Sequence, residues 1–118
     1  MANEKWQMEN DRTDNASRLL VVLMTAADRD EANRIAEMLV NSRLAACVQL
    51  LPEIHSVYRW KGEIERASET LLLAKTTSDK FDELDRVVRE IHSYDTPEIV
   101  ALPVSAASEP YLKWVLES

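Results

Sequence analysis

The sequence predicts an α+β fold in the order βαββαβ, with one further helix at the C-terminal end, and two observations support this prediction. Continuous aliphatic runs typical of buried strands alternate with segments whose apolar residues recur at helical spacing. A single glycine, Gly62, also lies between two long runs of strand-forming residues. This order of elements is the ferredoxin-like split βαβ arrangement. In this chain, the second and third strands are predicted to form a long hairpin.

The first strand and the first helix follow each other directly. The run "RLLVVLMTA", from Arg18 to Ala26, has the continuous aliphatic composition of a strand that is buried on both faces of a sheet. Asp28 is placed to cap a helix, and Glu31 three residues later completes a capping box. The apolar residues that follow keep to one helical face until about Ser42, where we expect the helix to end.

Two extended segments, 47–60 and 63–76, are joined at "WKGE" and predict a β-hairpin. Lys61-Gly62 supplies the positive φ of a tight turn, and Pro52 predicts a bulge or an edge because it has no N–H to donate. An arm of about fourteen residues extends about 45 Å, whereas a compact domain of this size is about 35 Å across. We therefore expect the hairpin to overhang its own core and another copy of the chain to cover it. The alternative is that the bulge folds the hairpin back onto its own domain.

The second half repeats the pattern with shorter elements. Apolar residues at helical spacing predict a second amphipathic helix over 81–91, with Thr77-Ser78 as capping candidates. The run "EIVALPV", 98–104, predicts a short fourth strand. Ser108 and Pro110 are residues that open helices, so they predict a terminal helix.

Composition and charge exclude several classes of partner. The chain has 21 acidic and 14 basic residues, and the resulting charge of −7 repels a phosphate backbone, so we expect no nucleic-acid partner. No apolar run reaches the roughly 18 to 20 residues of a membrane span, so we expect a soluble protein without a membrane partner. Residues 1–17 are polar and lack a signal-peptide core, which predicts a disordered lead-in to a domain over 18–118, with the cytoplasm as the default location.

The sequence contains no spacing typical of an enzyme. Serine, histidine and aspartate are present, but no nucleophile-elbow, Walker-type or HExxH pattern occurs, and one glycine excludes a Gly-rich phosphate loop. Cys47 is the single cysteine, so the chain forms no intrachain disulfide and has no CxxC motif. We therefore expect a non-enzymatic protein.

Four segments resemble the CutA family of divalent-cation tolerance proteins. They are "RLAACVQLLPEIHSVYRWKGEIE", "ETLLLAKT", "HSYDTPEIVALPV" and "YLKWV", in this order and at the family's spacing. The resemblance implies a ferredoxin-like protomer that assembles into a tight trimer through strand pairing between subunits, with an architecture similar to that of PII signalling proteins. It agrees with the overhanging hairpin.

The candidate metal ligands are few. Copper prefers thiolate, thioether or imidazole donors, and Cys47, His92 and Met24 are the candidate set. The resemblance implies that CutA copper sites use a cysteine in the first strand and two adjacent histidines, where this chain has Met24 and Ile91-His92. Alternatively, Cys47 is a small buried hydrophobe, Met24 is a core residue and a protonated His92 meets the C-terminus of a helix. Ser93 also stands where the family usually has proline.

A second set of residues matches the family pattern more completely, and the resemblance implies that it lines a cleft between subunits. Aromatic rings beside a few charged groups suit a small polar ligand, although the same residues also suit interface packing. A Glu69–Lys75 ion pair is a further alternative. The set is Tyr58, Trp60, Glu69, Lys75, Tyr94 and Glu98.

The functional expectation is a soluble, trimeric, CutA-like protein that binds copper or another divalent cation weakly or responds to metal ions. No obligatory cofactor is expected. The alternative is a PII-like signalling or interaction module that binds a small molecule or a protein partner at the intersubunit clefts.

Overall fold

In the computed structural model, residues 18–118 form a four-stranded antiparallel sheet and three α-helices. The sheet has the order β2-β3-β1-β4, and a short 3₁₀ turn over Ser78–Lys80 precedes the second helix. The elements are β1 (Leu19–Ala26), α1 (Arg29–Asn41), β2 (Cys47–Trp60), β3 (Glu63–Thr77), α2 (Phe81–Ile91), β4 (Ile99–Pro103) and α3 (Glu109–Glu117). Each predicted strand and helix of the domain is therefore present, in the predicted order.

The main core lies between α1, α2 and one face of the sheet. Side chains alternate between the two faces along a strand, so β1 and β3 each direct every second residue toward the helices. Both helices meet them with apolar residues spaced three or four apart. The fully buried members are Val22, Met24, Ala26, Leu72, Ala74, Ala32, Ile35, Leu39, Leu84 and Val88.

Helix α1 begins and ends where the sequence predicts, but the conformation of the residue after its C-cap was not predicted. The N–H of Glu31 donates to Asp28 Oδ1 at 2.8 Å, which confirms Asp28 as the N-cap, whereas the Glu31 carboxylate accepts the N–H of Ala27, one residue before the donor of a capping box. Ser42 caps the C-terminus, and Arg43 follows in the left-handed region with φ 61°. A helix usually uses glycine there, so Arg43 occupies a conformation that costs a non-glycine residue free energy.

The start of α2 corrects one expectation. Thr77 precedes the 3₁₀ turn rather than the helix, and no side chain makes a capping hydrogen bond to either element. Ser108 likewise occupies the position before α3 without such a bond, while Pro110 lies in the first turn of the helix as predicted.

The opposite face of the sheet, which we call the open face, is only partly covered. Helix α3 packs on Leu19 through Leu112 and Val115 at one end of this face. Beyond α3, the open face carries exposed Val100 and Leu102, each 46% accessible. No described helix covers these side chains.

The hairpin projects beyond the rest of the sheet. Strand β3 pairs with β1 only from Thr70 to Thr77, whereas the β2–β3 pairing continues from Ile54–Glu69 out to Trp60–Glu63. Seven residues of each strand therefore extend about 23 Å past β1, which excludes the alternative that the hairpin folds back. The register shifts between Leu51 and Ile54, so the bulge predicted at Pro52 is confirmed.

Two further expectations concern the N-terminal segment and the membrane. The predicted disordered lead-in over residues 1–17 lies outside the described residues. None of the helices in residues 18–118 has the length and apolar character that crossing a membrane requires.

Candidate functional site

A cleft of about 540 Å³ lies between the hairpin and the loop that connects α2 to β4. The hairpin contributes Tyr58, Trp60 and Glu69, and the loop contributes Tyr94 and Glu98. These are five of the six residues that the sequence assigns to a cleft. They converge because Tyr58, Trp60 and Glu69 share one face of the β2–β3 ribbon, and this face turns toward the loop.

Glu69 and Tyr94 connect the two walls of the cleft. The hydroxyl of Tyr94 donates to Glu69 Oε2 at 2.8 Å, and the Glu69 side chain is 8% accessible. Burial, followed by the bond to the negatively charged Glu69, raises the pKa of Tyr94 well above its ordinary value of 10.0. Tyr94 therefore stays neutral and remains a hydrogen-bond donor at physiological pH.

Glu31 fixes the start of the loop. Its Oε2 accepts the backbone N–H of Ser93 at 2.8 Å, and its Oε1 accepts the Ser93 hydroxyl at 3.0 Å and the N–H of Ala27 at 2.9 Å. Burial raises the pKa of Glu31, but the hydrogen bonds from Ala27 and Ser93 outweigh burial and hold the pKa below its ordinary value of 4.5. A proline at position 93 has no N–H to donate, so this contact depends on the serine.

His92 is held by both ring nitrogens. Nε2 lies 2.7 Å from the carbonyl oxygen of Thr25, which only accepts, so Nε2 carries the proton. The backbone N–H of Tyr94 donates to Nδ1 at 3.0 Å, so Nδ1 is the acceptor of the ring. His92 occupies the C-cap position of α2, where the sequence placed it, and its ring also positions Tyr94.

The structure does not bring the three candidate metal donors together. Met24 is fully buried in the main core, and His92 bonds to Thr25 at the C-terminal end of β1. Cys47 lies in register with Val21 across β3, about 13 Å from Thr25 along β1. Among residues 18–118, no group of three or more His, Cys, Asp or Glu side chains is arranged to hold a metal ion.

Cys47 has a different neighbour, the hydroxyl of Tyr111 on α3. The sulfur lies 3.5 Å from that oxygen. This contact, followed by burial, raises the pKa of Tyr111 to about 12. Cys47 thus lies where α3 meets the sheet, away from the cleft.

Lys75 is the sixth residue of the predicted cleft, and it lies apart from the other five. Its ammonium group donates to Gln49 Oε1 on the open face. Glu69 is six residues away on the same strand, about 20 Å along β3, so the alternative of a Glu69–Lys75 ion pair is wrong.

Asp95, Thr96 and Thr25 also line the cleft, and sequence reasoning did not select them. Asp95 and Thr96 lie between Tyr94 and Glu98 in "SYDTPE". Their position in this polar run is the sequence feature that could have identified them as cleft residues. The backbone contact of Thr25 with His92 had no signal, because the two residues are 67 positions apart.

The described fold and cleft define a class of protein: an α+β sandwich with an overhanging hairpin and an acidic, aromatic-lined cleft beside it. A family model described as "CutA1 divalent ion tolerance protein" matches residues 20–118. The chain belongs to this family.

Named relatives agree with the family assignment. The chain is 46% identical over 98 residues to the divalent-cation tolerance protein CutA of Thermus thermophilus, covering 83% of this chain and 95% of the relative. The solved structure of the Thermus thermophilus protein superposes with a TM-score of 0.81 at 45% identity, covering 82% of this chain and 94% of that one.

Two further relatives bear on location. A CutA structure from Archaeoglobus fulgidus, described as periplasmic, has a TM-score of 0.82 at 39% identity and covers 84% of this chain and 96% of its own. Protein CutA of Arabidopsis thaliana, described as chloroplastic, is 39% identical over 99 residues, which is 84% of this chain but 54% of the relative. The chain thus spans about half the length of that relative, and the names of these two relatives give locations other than the expected cytoplasm.

Proposed function

We propose that this chain serves tolerance of divalent cations as a homotrimer that binds copper or another divalent cation weakly. The family match supports this proposal, because it extends over residues 20–118 and so over all but the first two of the described residues. We assign no obligatory cofactor and no catalytic role, since the sequence lacks the spacings of nucleophile elbows, Walker loops and HExxH sites.

The geometry of the candidate donors favours weak binding within a protomer. Both nitrogens of His92 already make hydrogen bonds, and a metal ion has to displace one of them. Met24 is closed off in the core, and Cys47 contacts Tyr111. His92 is thus the donor of the three that a divalent cation reaches with the smallest rearrangement.

Assembly and location complete the proposal. The strand order β2-β3-β1-β4 supports a ferredoxin-like protomer of PII-like architecture, and the uncovered open face and the overhanging hairpin support the trimer. The cytoplasm remains the proposed location, and the single cysteine is compatible with a reducing compartment.

Isothermal titration of the tag-free protein with Cu(II) tests the metal part of the proposal. We expect weak, saturable binding that His92→Ala weakens further and that Cys47→Ser leaves unchanged. Met24→Leu is the matched control for the buried thioether, because it conserves volume and removes the sulfur. Tight binding that either Cys47→Ser or Met24→Leu abolishes would show a preformed sulfur site and overturn the proposal.

A further inference from the structure

The cleft between the hairpin and the α2–β4 loop has an unusual balance of charge. Three carboxylates, those of Glu69, Asp95 and Glu98, are among its lining residues, and no lysine, arginine or histidine is. One of the three, Glu69, is more than nine-tenths buried, so water screens its charge incompletely. The electrostatic field in the cleft therefore attracts a cation.

The second property of the cleft is its aromatic lining. Tyr58, Trp60 and Tyr94 contribute rings to its walls. The face of an aromatic ring attracts an ammonium group, and tryptophan does so most strongly. Lys61 illustrates this attraction in the protein itself, because its ammonium nitrogen lies 5.8 Å from the centroid of the Trp60 ring, although Lys61 does not line the cleft.

One carboxylate oxygen of Glu69 accepts a hydrogen bond from the protein, and the other can accept one from a ligand. Oε2 accepts the Tyr94 hydroxyl, whereas no other residue of the described chain donates a hydrogen bond to Oε1. This arrangement orients the carboxylate from the protein side and leaves an acceptor for a ligand. The raised pKa of Tyr94 keeps the Tyr94 hydroxyl protonated, so the arrangement persists at neutral pH.

An inorganic dication fits the cleft less well than an organic cation. A divalent metal requires several oxygen donors that converge on one point, and no such group of three is found among residues 18–118. The volume of about 540 Å³ is in the range of small-molecule sites and is far larger than one ion needs. Aromatic walls also contact alkyl groups, which a hydrated metal ion lacks.

We propose that this cleft binds a small organic ammonium ion, with its charged nitrogen facing Glu69 and its alkyl groups against Trp60 and Tyr58. This binding goes beyond the proposed response to divalent cations and does not depend on it. Glu98 and Asp95 add negative charge at the mouth of the cleft.

The test titrates the full-length protein with choline chloride, followed by isothermal calorimetry and by the NMR signals of choline. The neutral probe is 3,3-dimethylbutan-1-ol, which has the shape of choline without the charge. We expect saturable binding of choline and at least about tenfold weaker binding of the alcohol, since the alcohol loses both the carboxylate and the cation–π attraction. Equal binding of the two probes, or no saturable choline binding at millimolar concentration, would overturn the proposal.

Two matched variants locate the site. Glu69→Gln keeps the size of the side chain and an oxygen that accepts from Tyr94, and we expect it to weaken choline binding about fivefold to tenfold by removing one charge from a buried wall. Glu65→Gln makes the same change on the exposed part of β3, outside the cleft lining, and we expect no effect. Equal effects of the two variants would place choline elsewhere. The copper titration measures a different ligand, so the proposed copper binding and the proposed choline binding can each fail without the other.

Discussion

Glu31, in the first turn of α1, holds the loop that forms one wall of the cleft. Its carboxylate accepts hydrogen bonds from the N–H of Ala27, just before α1, and from both the N–H and the hydroxyl of Ser93. Ser93 immediately precedes Tyr94, which donates to Glu69 on the opposite wall. The ionised form of Glu31 is thus part of what holds the loop in place, and its pKa is lowered accordingly.

The lowered pKa of Glu31 predicts a pH dependence of stability. Because the folded-state pKa lies below the ordinary value of 4.5, the ionised carboxylate stabilises the fold above pH 4.5, and this contribution is lost as the pH falls through the folded-state pKa. We expect Glu31→Gln to lower the free energy of unfolding by about 1–3 kcal/mol at pH 7, and by less below pH 4. Urea denaturation at both pH values measures this difference.

Glu37→Gln on the exposed side of α1 is the control for that experiment, because it removes a carboxylate from the same helix at a solvent-exposed position. Its free energy of unfolding should follow the wild type at both pH values. If Glu31→Gln also follows the wild type, ionised Glu31 contributes nothing to the fold.

The sequence predicted one part of this network and missed the rest for a physical reason. Asp28 and Glu31 form a local motif, and a capping box is visible in four consecutive positions. The contact between Ser93 and Glu31 joins residues 62 positions apart, and only the packing of α2 against α1 brings them together. The sequence placed His92 at the end of α2, as the structure does, but it gave no signal for the contacts of the ring with Thr25 and Tyr94.

At the scale of elements, the hairpin turn determines how the ribbon is closed. Lys61 and Gly62 both have positive φ, 50° and 83°, as in the two-residue turns that match the twist of a hairpin. The sequence predicted this turn from Lys61-Gly62. It did not predict the left-handed Arg43 after α1, because no glycine or asparagine marks that position.

Gly62→Val tests the importance of the turn. No heavy atom other than those of its chain neighbours lies within 4 Å of a Cβ built at Gly62, so the substitution creates no clash and its cost comes from the backbone conformation alone. A β-branched residue at φ 83° costs about 1–3 kcal/mol, and we expect the hairpin tip to loosen and the thermal midpoint to fall. Circular dichroism should show the helices retained.

Lys61→Asn is the opposite test, because it should favour the turn that Gly62→Val disfavours. Asparagine adopts the left-handed conformation more readily than lysine and precedes glycine in favoured hairpin turns. We expect an unchanged or slightly raised thermal midpoint. A Gly62→Val protein as stable as the wild type would show that the turn does not need a glycine at that position.

At the scale of the whole molecule, two features of the described chain lack a covering partner. The first is the open face, where Val100 and Leu102 on the edge strand β4 are exposed beside Val21 and Leu23. The second is the outer hairpin, whose exposed apolar side chains include Ile64 at 64% accessibility. A two-stranded ribbon is marginal by itself in water, so both features favour association of copies of this chain.

The assembly prediction follows from these two surfaces. Multi-angle light scattering should give about three times the protomer mass for the wild type at micromolar concentration, because strand pairing in the proposed trimer would cover both the ribbon and the sheet edge. Leu102→Glu places a charge on the open face, and we expect it to shift the protein toward smaller species because a charge is costly to bury in an apolar interface. Val40→Glu changes an equally exposed apolar residue on the outside of α1, away from both surfaces, and should leave the mass unchanged. A monomeric wild type would show that neither the open face nor the hairpin mediates assembly, and a trimer that Leu102→Glu and Val40→Glu affect equally would show that the open face does not.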